Sequence, residues 1–162
     1  AEAHVKYAAT NWNISAKTTL GQNLAHASML GGYAVSSRTA ITGEQQYTPY
    51  RHSSTWVSFV WGKKWQPAVF LGYTKNLGTT KDMLDIANPG DKPRYVTYAT
   101  GSDIDQLASA VVSLTYNLPH WKIGAEFEPT TAWYGTPDKR GRVSNTHAIT
   151  NYRVVATAMF VF

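Results

Sequence analysis

Two carboxylates, Glu126 and Glu128, stand two residues apart and are the first candidates for chemistry in this 162-residue chain. Paired acids serve general acid–base catalysis when their environments separate their pKa values. Residues two apart on a strand point to the same side, however, and the bases Lys122 and Arg153 lie in the segments that would flank them. The spacing therefore predicts an internal ion-pair network or charges lining a water-filled path, where such residues set ion selectivity. Lys6, Lys17, Lys122 and Arg153 are expected to face inward with Glu126 and Glu128, and four bases against two acids lean toward anions.

Other candidates are weaker. The histidines His4, His26, His52, His120 and His147 show no HExxH or comparable ligand spacing, so no metal site is expected. Asn145 and His147 lie two apart, as a barrel hydrolase keeps such a pair near its rim, but an oriented serine would also be required. Asp85, Asn88 and Asp91 lack the alternating ligands and closing Glu of a calcium loop and read as solvated loop groups, with Lys81 to Ala87 as a short helical turn. Neither an enzymatic activity nor a cofactor is expected.

These residues have to be held by a chain of unusual composition. It is 15% charged, 43% hydrophobic and 13% aromatic, whereas soluble domains run near ~25% charged. Six Trp, ten Tyr and five Phe exclude disorder. A mean hydropathy of -0.31, with no apolar run approaching ~20 residues, excludes a membrane helix. The net charge of +5 is spread over single bases or short groups such as Asp138-Lys139-Arg140-Gly141-Arg142, beside a proline, which reads as a solvated loop. Nucleic acid is therefore not an expected partner. Without Cys there is no disulfide framework. Ala1-Glu2-Ala3-His4 carries no signal-peptide pattern, so a processed form or a fragment is expected.

Period-two alternation recurs along the chain and predicts an all-β fold. In the C-terminal stretch, Tyr152, Val154, Ala156, Ala158, Phe160 and Phe162 share one face, and Trp121, Ile123, Ala125 and Phe127 form a second such row. Seven strands are expected, at about 1–9, 12–24, 53–62, 66–76, 104–117, 121–134 and 147–162. Tight turns at Thr10-Asn11, Gly62-Lys63-Lys64 and Asn117-Leu118-Pro119-His120 alternate with long loops at about 25–52, 77–103 and 135–146. Short turns at one end and long loops at the other are features of an up-and-down transmembrane barrel. The face opposite the apolar one is mostly Ser, Thr, Gly, Ala and Asn, which suits a small aqueous interior better than a water-facing surface. Aromatics stand near both ends of the apolar face: Trp12, Trp61, Tyr116 and Trp121 by the short turns, Tyr73, Trp133 and Tyr152 by the long loops. Two such girdles are what lipid headgroup interfaces select.

The stretch Tyr152-Arg153-Val154-Val155-Ala156-Thr157-Ala158-Met159-Phe160-Val161-Phe162 resembles the C-terminus of Gram-negative outer-membrane β-barrels of the porin-like kind. Gly72-Tyr73-Thr74-Lys75-Asn76-Leu77-Gly78 and Leu114-Thr115-Tyr116-Asn117-Leu118-Pro119-His120-Trp121 are similar to porin segments as well. The resemblance implies residence in the outer membrane, contact with its lipid, and recognition by the barrel-assembly machinery through Phe160 and Phe162. Self-association, or association with other outer-membrane proteins, is compatible with it. It implies a passive diffusion channel for small solutes or ions. The rivals are a structural or adhesive barrel with a closed lumen and a soluble lipocalin-like ligand-binding barrel. Because single-chain bacterial barrels have even strand numbers, seven strands predict the C-terminal portion of a larger barrel. A signal peptide encoded directly before Ala1 would instead imply eight strands with one unseen.

Overall fold

The computed structural model describes residues 1–27 and 29–162, with the side chains of His26 and Ala27 outside the description. The fold is all-β, as the alternation requires. Its elements are β1 (Glu2–Ala8), β2 (Trp12–Gln22), a 3-10 turn (Leu24–Ala27), β3 (Gly31–Arg38), β4 (Gln45–Trp61), β5 (Trp65–Thr79), β6 (Thr97–Thr100), β7 (Ile104–Asn117), β8 (Trp121–Pro137) and β9 (Val143–Phe160). All pair antiparallel in one nine-stranded sheet, whose main path runs β1-β2-β4-β5-β7-β8-β9. These seven staves match the expected number. The sheet stays open: among the described residues β1 and β9 are the unpaired ends of its main path and β6 is a further edge beside β3, so these strands do not close into a barrel by themselves.

The expected loops are the main correction. In the region 25–52, β3 pairs with the upper half of β4, Tyr33 opposite Pro49 and Arg38 opposite Gln45. β2 pairs with the lower half, Trp12 opposite Trp61 through Gln22 opposite Arg51. Both run antiparallel to β4, so β3 prolongs the line of β2. Asn23, at φ 52, breaks that line in the left-handed region, which Asn tolerates. Gly31 and Gly32 open β3. In the region 77–103, β6 pairs with β3, Tyr33 opposite Tyr98. The helical turn expected at 81–87 is absent, and Asp85 instead bridges to Tyr95. Most of 135–146 belongs to β8 and β9. Alternation misses these pieces because the pleat is interrupted there: register shifts fall at Val35/Ser37, Tyr50/His52, Ile104/Gln106 and Tyr134/Thr136, all toward the long-loop end.

The short-turn end is regular. In the β4–β5 turn Gly62 sits at φ 86, where a Cβ would run into the Trp65 carbonyl oxygen, so only glycine fits.

Burial follows the alternation in an inverted sense. Along β5, Trp65, Val69, Leu71 and Tyr73 are exposed while Gln66, Ala68, Gly72 and Thr74 are half-buried. The same apolar face is bare on other strands, with Val112 57%, Ile123 50% and Val154 76% exposed. The packed core lies elsewhere, at the long-loop end, where Ala34, Tyr50 and Met83 are buried together and Tyr95 and Ala99 pack against them.

Candidate functional site

The face opposite the apolar one, the more enclosed of the two and here called the inner face, has two halves. On β7 to β9 it is charged and hydroxylated. Glu128 lies directly opposite Arg153 in the β8–β9 ladder, and Glu126 is opposite Val155 one step along the same face. The Arg153 guanidinium pairs with both acids, reaching Glu126 Oε1 at 3.1 Å. Ser109 and Thr130 hydroxyls donate to Glu128 Oε1 at 3.1 and 3.3 Å. A carboxylate so occupied is a fixed charge and not a free acid or base. Lys122 shares with Glu126 the walls of a cavity of about 240 Å³, also lined by Ser113, Thr115 and Thr157. Among the described residues it makes no ion pair, so of the two flanking bases Arg153 alone pairs with the acids.

On β1 to β5 the inner face is aromatic. Trp56 stands with its ring centroid 5.8 Å from Phe70 and 6.1 Å from His4. Lys17, opposite His4 in the ladder, bonds Glu2 at 2.9 Å. Lys6 lies opposite Ser15 and is unpaired among the described residues. Glu2 was missed as an inward acid, although its phase with His4 and Lys6 was the available signal. Three acids against the same four bases narrow the lean toward anions.

The aromatic residues gather into rows on the opposite, apolar face. At the short-turn end Trp12 contacts Tyr7 at 5.2 Å and Phe59 at 6.0 Å, and lies opposite Trp61. Trp65 meets Tyr116 at 4.4 Å, and Trp121 meets Phe160 at 5.1 Å. Trp65, just outside the strand expected at 66–76, is an addition to this row. Phe162 follows beyond β9, its ring 6.4 Å from Phe160. Toward the long loops Tyr73 donates to Gln106 Oε1 at 2.7 Å, Trp133 is opposite Gln106 and Ala148, and Tyr152 stacks on Phe127 at 6.0 Å. Sequence reasoning missed a third cluster, Tyr33, Tyr47 and Tyr98, because the strands that bring these residues together fall in regions read as loop.

At the long-loop end, side chains tie three segments together across the inner face. Asn76 donates to the carbonyls of Ile104 and Gly141, both at 3.2 Å, and accepts from the Gly78 N–H at 2.7 Å. Tyr50 donates to Met83 Sδ at 3.2 Å. Burial, with Asp138 nearby, pushes the Tyr50 phenol up to about 12. His52 is 1% exposed, and neither ring nitrogen has a partner among the described residues. Burial lowers its pKa to about 4, so the ring is neutral. Arg140 and Lys139 clamp Asp82 at 2.8 and 2.9 Å and hold its carboxyl below the usual range.

The remaining candidates do not assemble. Asp85 accepts from the backbone N–H groups of Ala87 and Arg94, while Asn88 donates to Asp91. His147 lies beside Tyr134 with ring centroids 6.2 Å apart, and among the described residues no hydrogen bond joins Asn145, His147 and a serine. His120 Nδ1 lies 3.3 Å from the Val161 carbonyl at the short-turn end. No protein-family description, curated protein or solved structure matches this chain.

Proposed function

We propose that this sheet is the wall of an outer-membrane barrel that passes small solutes or ions by diffusion. The observation that carries the reading is the inverted burial: the apolar face is bare, while the Ser, Thr, Gly and charged face is the more enclosed one. An apolar surface of this extent is left uncovered by a monomeric protein only where something apolar covers it. A lipocalin-like barrel needs the opposite arrangement, with the apolar face inward.

The dimensions agree with a bilayer. Trp65 and Tyr73 mark the two aromatic rows on β5. Eight residues at ~3.4 Å span roughly 27 Å, or about 21 Å across a membrane at the usual tilt near ~40°, close to the ~25 Å band of such barrels. On this reading the membrane-spanning parts lie between the rows, at 12–20, 55–61, 65–73 and their partners, with the Tyr50 and His52 cluster outside. The inner Glu126, Glu128, Arg153 and Lys122 then line the path. The terminal Phe160 and Phe162 present the assembly signal.

An odd number of staves makes β1 and β9 run in the same direction. An all-antiparallel closure therefore needs an odd number of further strands between them. A second copy related by rotation about the barrel axis would put β9 beside a parallel β1, so it would not give that antiparallel closure.

The test is reconstitution of the full polypeptide. Heat-modifiable migration after detergent extraction and stepwise conductance in a planar bilayer are the expected results. A protein that is folded and monomeric without detergent sinks the membrane reading. One observation favours a second reading, a barrel with a blocked lumen: the Tyr50, Met83, Asn76 and Gly141 packing occupies the inner face over β4 and β5. Membrane insertion with no conductance selects it.

A further inference from the structure

We propose that the cavity beside Arg51 and Arg142 binds a phosphate group, presented by the headgroup of a membrane lipid. The proposal rests on the membrane reading above. Where β7 stops at Ile104 and the 140–142 segment takes its place beside β5, a cavity of about 510 Å³ opens. Arg51, Lys75 and Arg142 line it, with Asp105 the one acid.

Asp105 is already used. Lys75 Nζ bonds both of its carboxylate oxygens, at 2.6 and 2.7 Å. That leaves two guanidinium groups with no carboxylate partner among the described residues. Arg51 makes one long bond, from Nη2 to the Leu77 carbonyl at 3.4 Å, and its buried Nε has no partner. A buried N–H of a permanent cation without an acceptor is costly to leave unmade. The guanidinium fork matches the oxygens of a phosphate.

The position argues for a lipid as the source. Arg51 continues the alternation of Trp61, Phe59, Val57, Thr55 and Ser53, and Lys75 that of Val69, Leu71 and Tyr73. Both therefore share the phase of the apolar face, half-buried at this level, and Lys75 lies one pleat beyond the aromatic row at Tyr73. That is headgroup depth, where an apolar tail runs down the face and its phosphate meets the cations. The volume admits the phosphate together with its first attached group.

The experiment uses the full polypeptide in phosphatidylcholine vesicles with and without phosphatidic acid, re-extracted in neutral detergent, with retained lipid counted by native mass spectrometry. Inorganic phosphate binding in detergent is measured in parallel. Wild type should retain phosphatidic acid. R51Q/R142Q should lose retention by roughly tenfold or more, the worth of one charge-assisted hydrogen bond. R142Q alone, an exposed change, should weaken it in the same direction, and K64Q at the short-turn end should not. Phosphate binding that depends on Arg51 without lipid retention overturns the lipid source. Equal retention by wild type and R51Q/R142Q, or no binding of either probe, overturns the site. Failure of the protein to float with vesicles defeats the membrane reading separately, and the inorganic phosphate arm still decides the site.

Discussion

Replacing Val112 with arginine separates a lipid-facing sheet from a water-facing one. Val112 is 57% exposed, midway on β7 between Tyr116 and Ala108, the latter the ladder partner of Tyr73. Four residues on each side give roughly 14 Å along the strand, or about 10 Å of depth at the usual tilt, so the residue sits near the bilayer midplane. Arginine there costs about 2–4 kcal/mol in a membrane barrel. On a face exposed to water the same change is worth within ~0.5 kcal/mol. The assay is reversible urea unfolding of the full polypeptide in vesicles, with Gln66→Arg, on the inner face near the short turns, as the control. A V112R midpoint equal to wild type would refute the argument from inverted burial, because the face would then have no apolar solvent to lose.

Other expectations follow from single contacts. Arg153→Gln leaves Glu126 and Glu128 without their cation, so reversal potentials in a salt gradient should shift toward cations by a few fold in permeability ratio, roughly; an unchanged ratio removes these residues from the path. Gly141→Ala places a methyl 2.5 Å from the Tyr50 ring at φ 65 and should destabilise the long-loop end by about 2–4 kcal/mol, seen as faster proteolysis within 80–96. His52, with a folded pKa of about 4 against 6.5 unfolded, takes up its proton in the unfolded chain first. Stability should therefore fall as pH drops from 6.5 to 4, by at most about 3 kcal/mol, and level off below, with H52L flattening that loss. A pH profile of H52L that matches wild type would assign the loss to other groups.

What could be read from the sequence follows from where the pleat is regular. Between the aromatic rows each strand carries a clear period of two, so the seven staves and the phase of Glu126, Glu128 and Arg153 were legible. Beyond Tyr73 the code weakens. The 45–52 stretch carries Pro49 and a register shift and places Tyr47 and Arg51 on a face that is apolar lower down, so its strand character was hidden. The Asn76 clamp depends on carbonyls 28 and 65 residues away, for which no local pattern exists. Trp56 stands next to Val57, and Phe70 between Val69 and Leu71, and only the registered ladders reveal that the two rings stand together on the inner face.

If the bare face meets lipid, the packed cluster of Ala34, Tyr50 and Met83 at one end of the sheet divides the molecule between two solvents. In the membrane reading, the staves between the aromatic rows draw their stability from hydrocarbon, and that part answers to bilayer thickness and composition. The cluster is held by water exclusion in the ordinary way, with the large heat capacity that accompanies it. Cooling or mild denaturant would then loosen the mouth while the wall stays intact, so access to the interior is governed by a thermodynamic balance separate from the one that keeps the protein in the membrane.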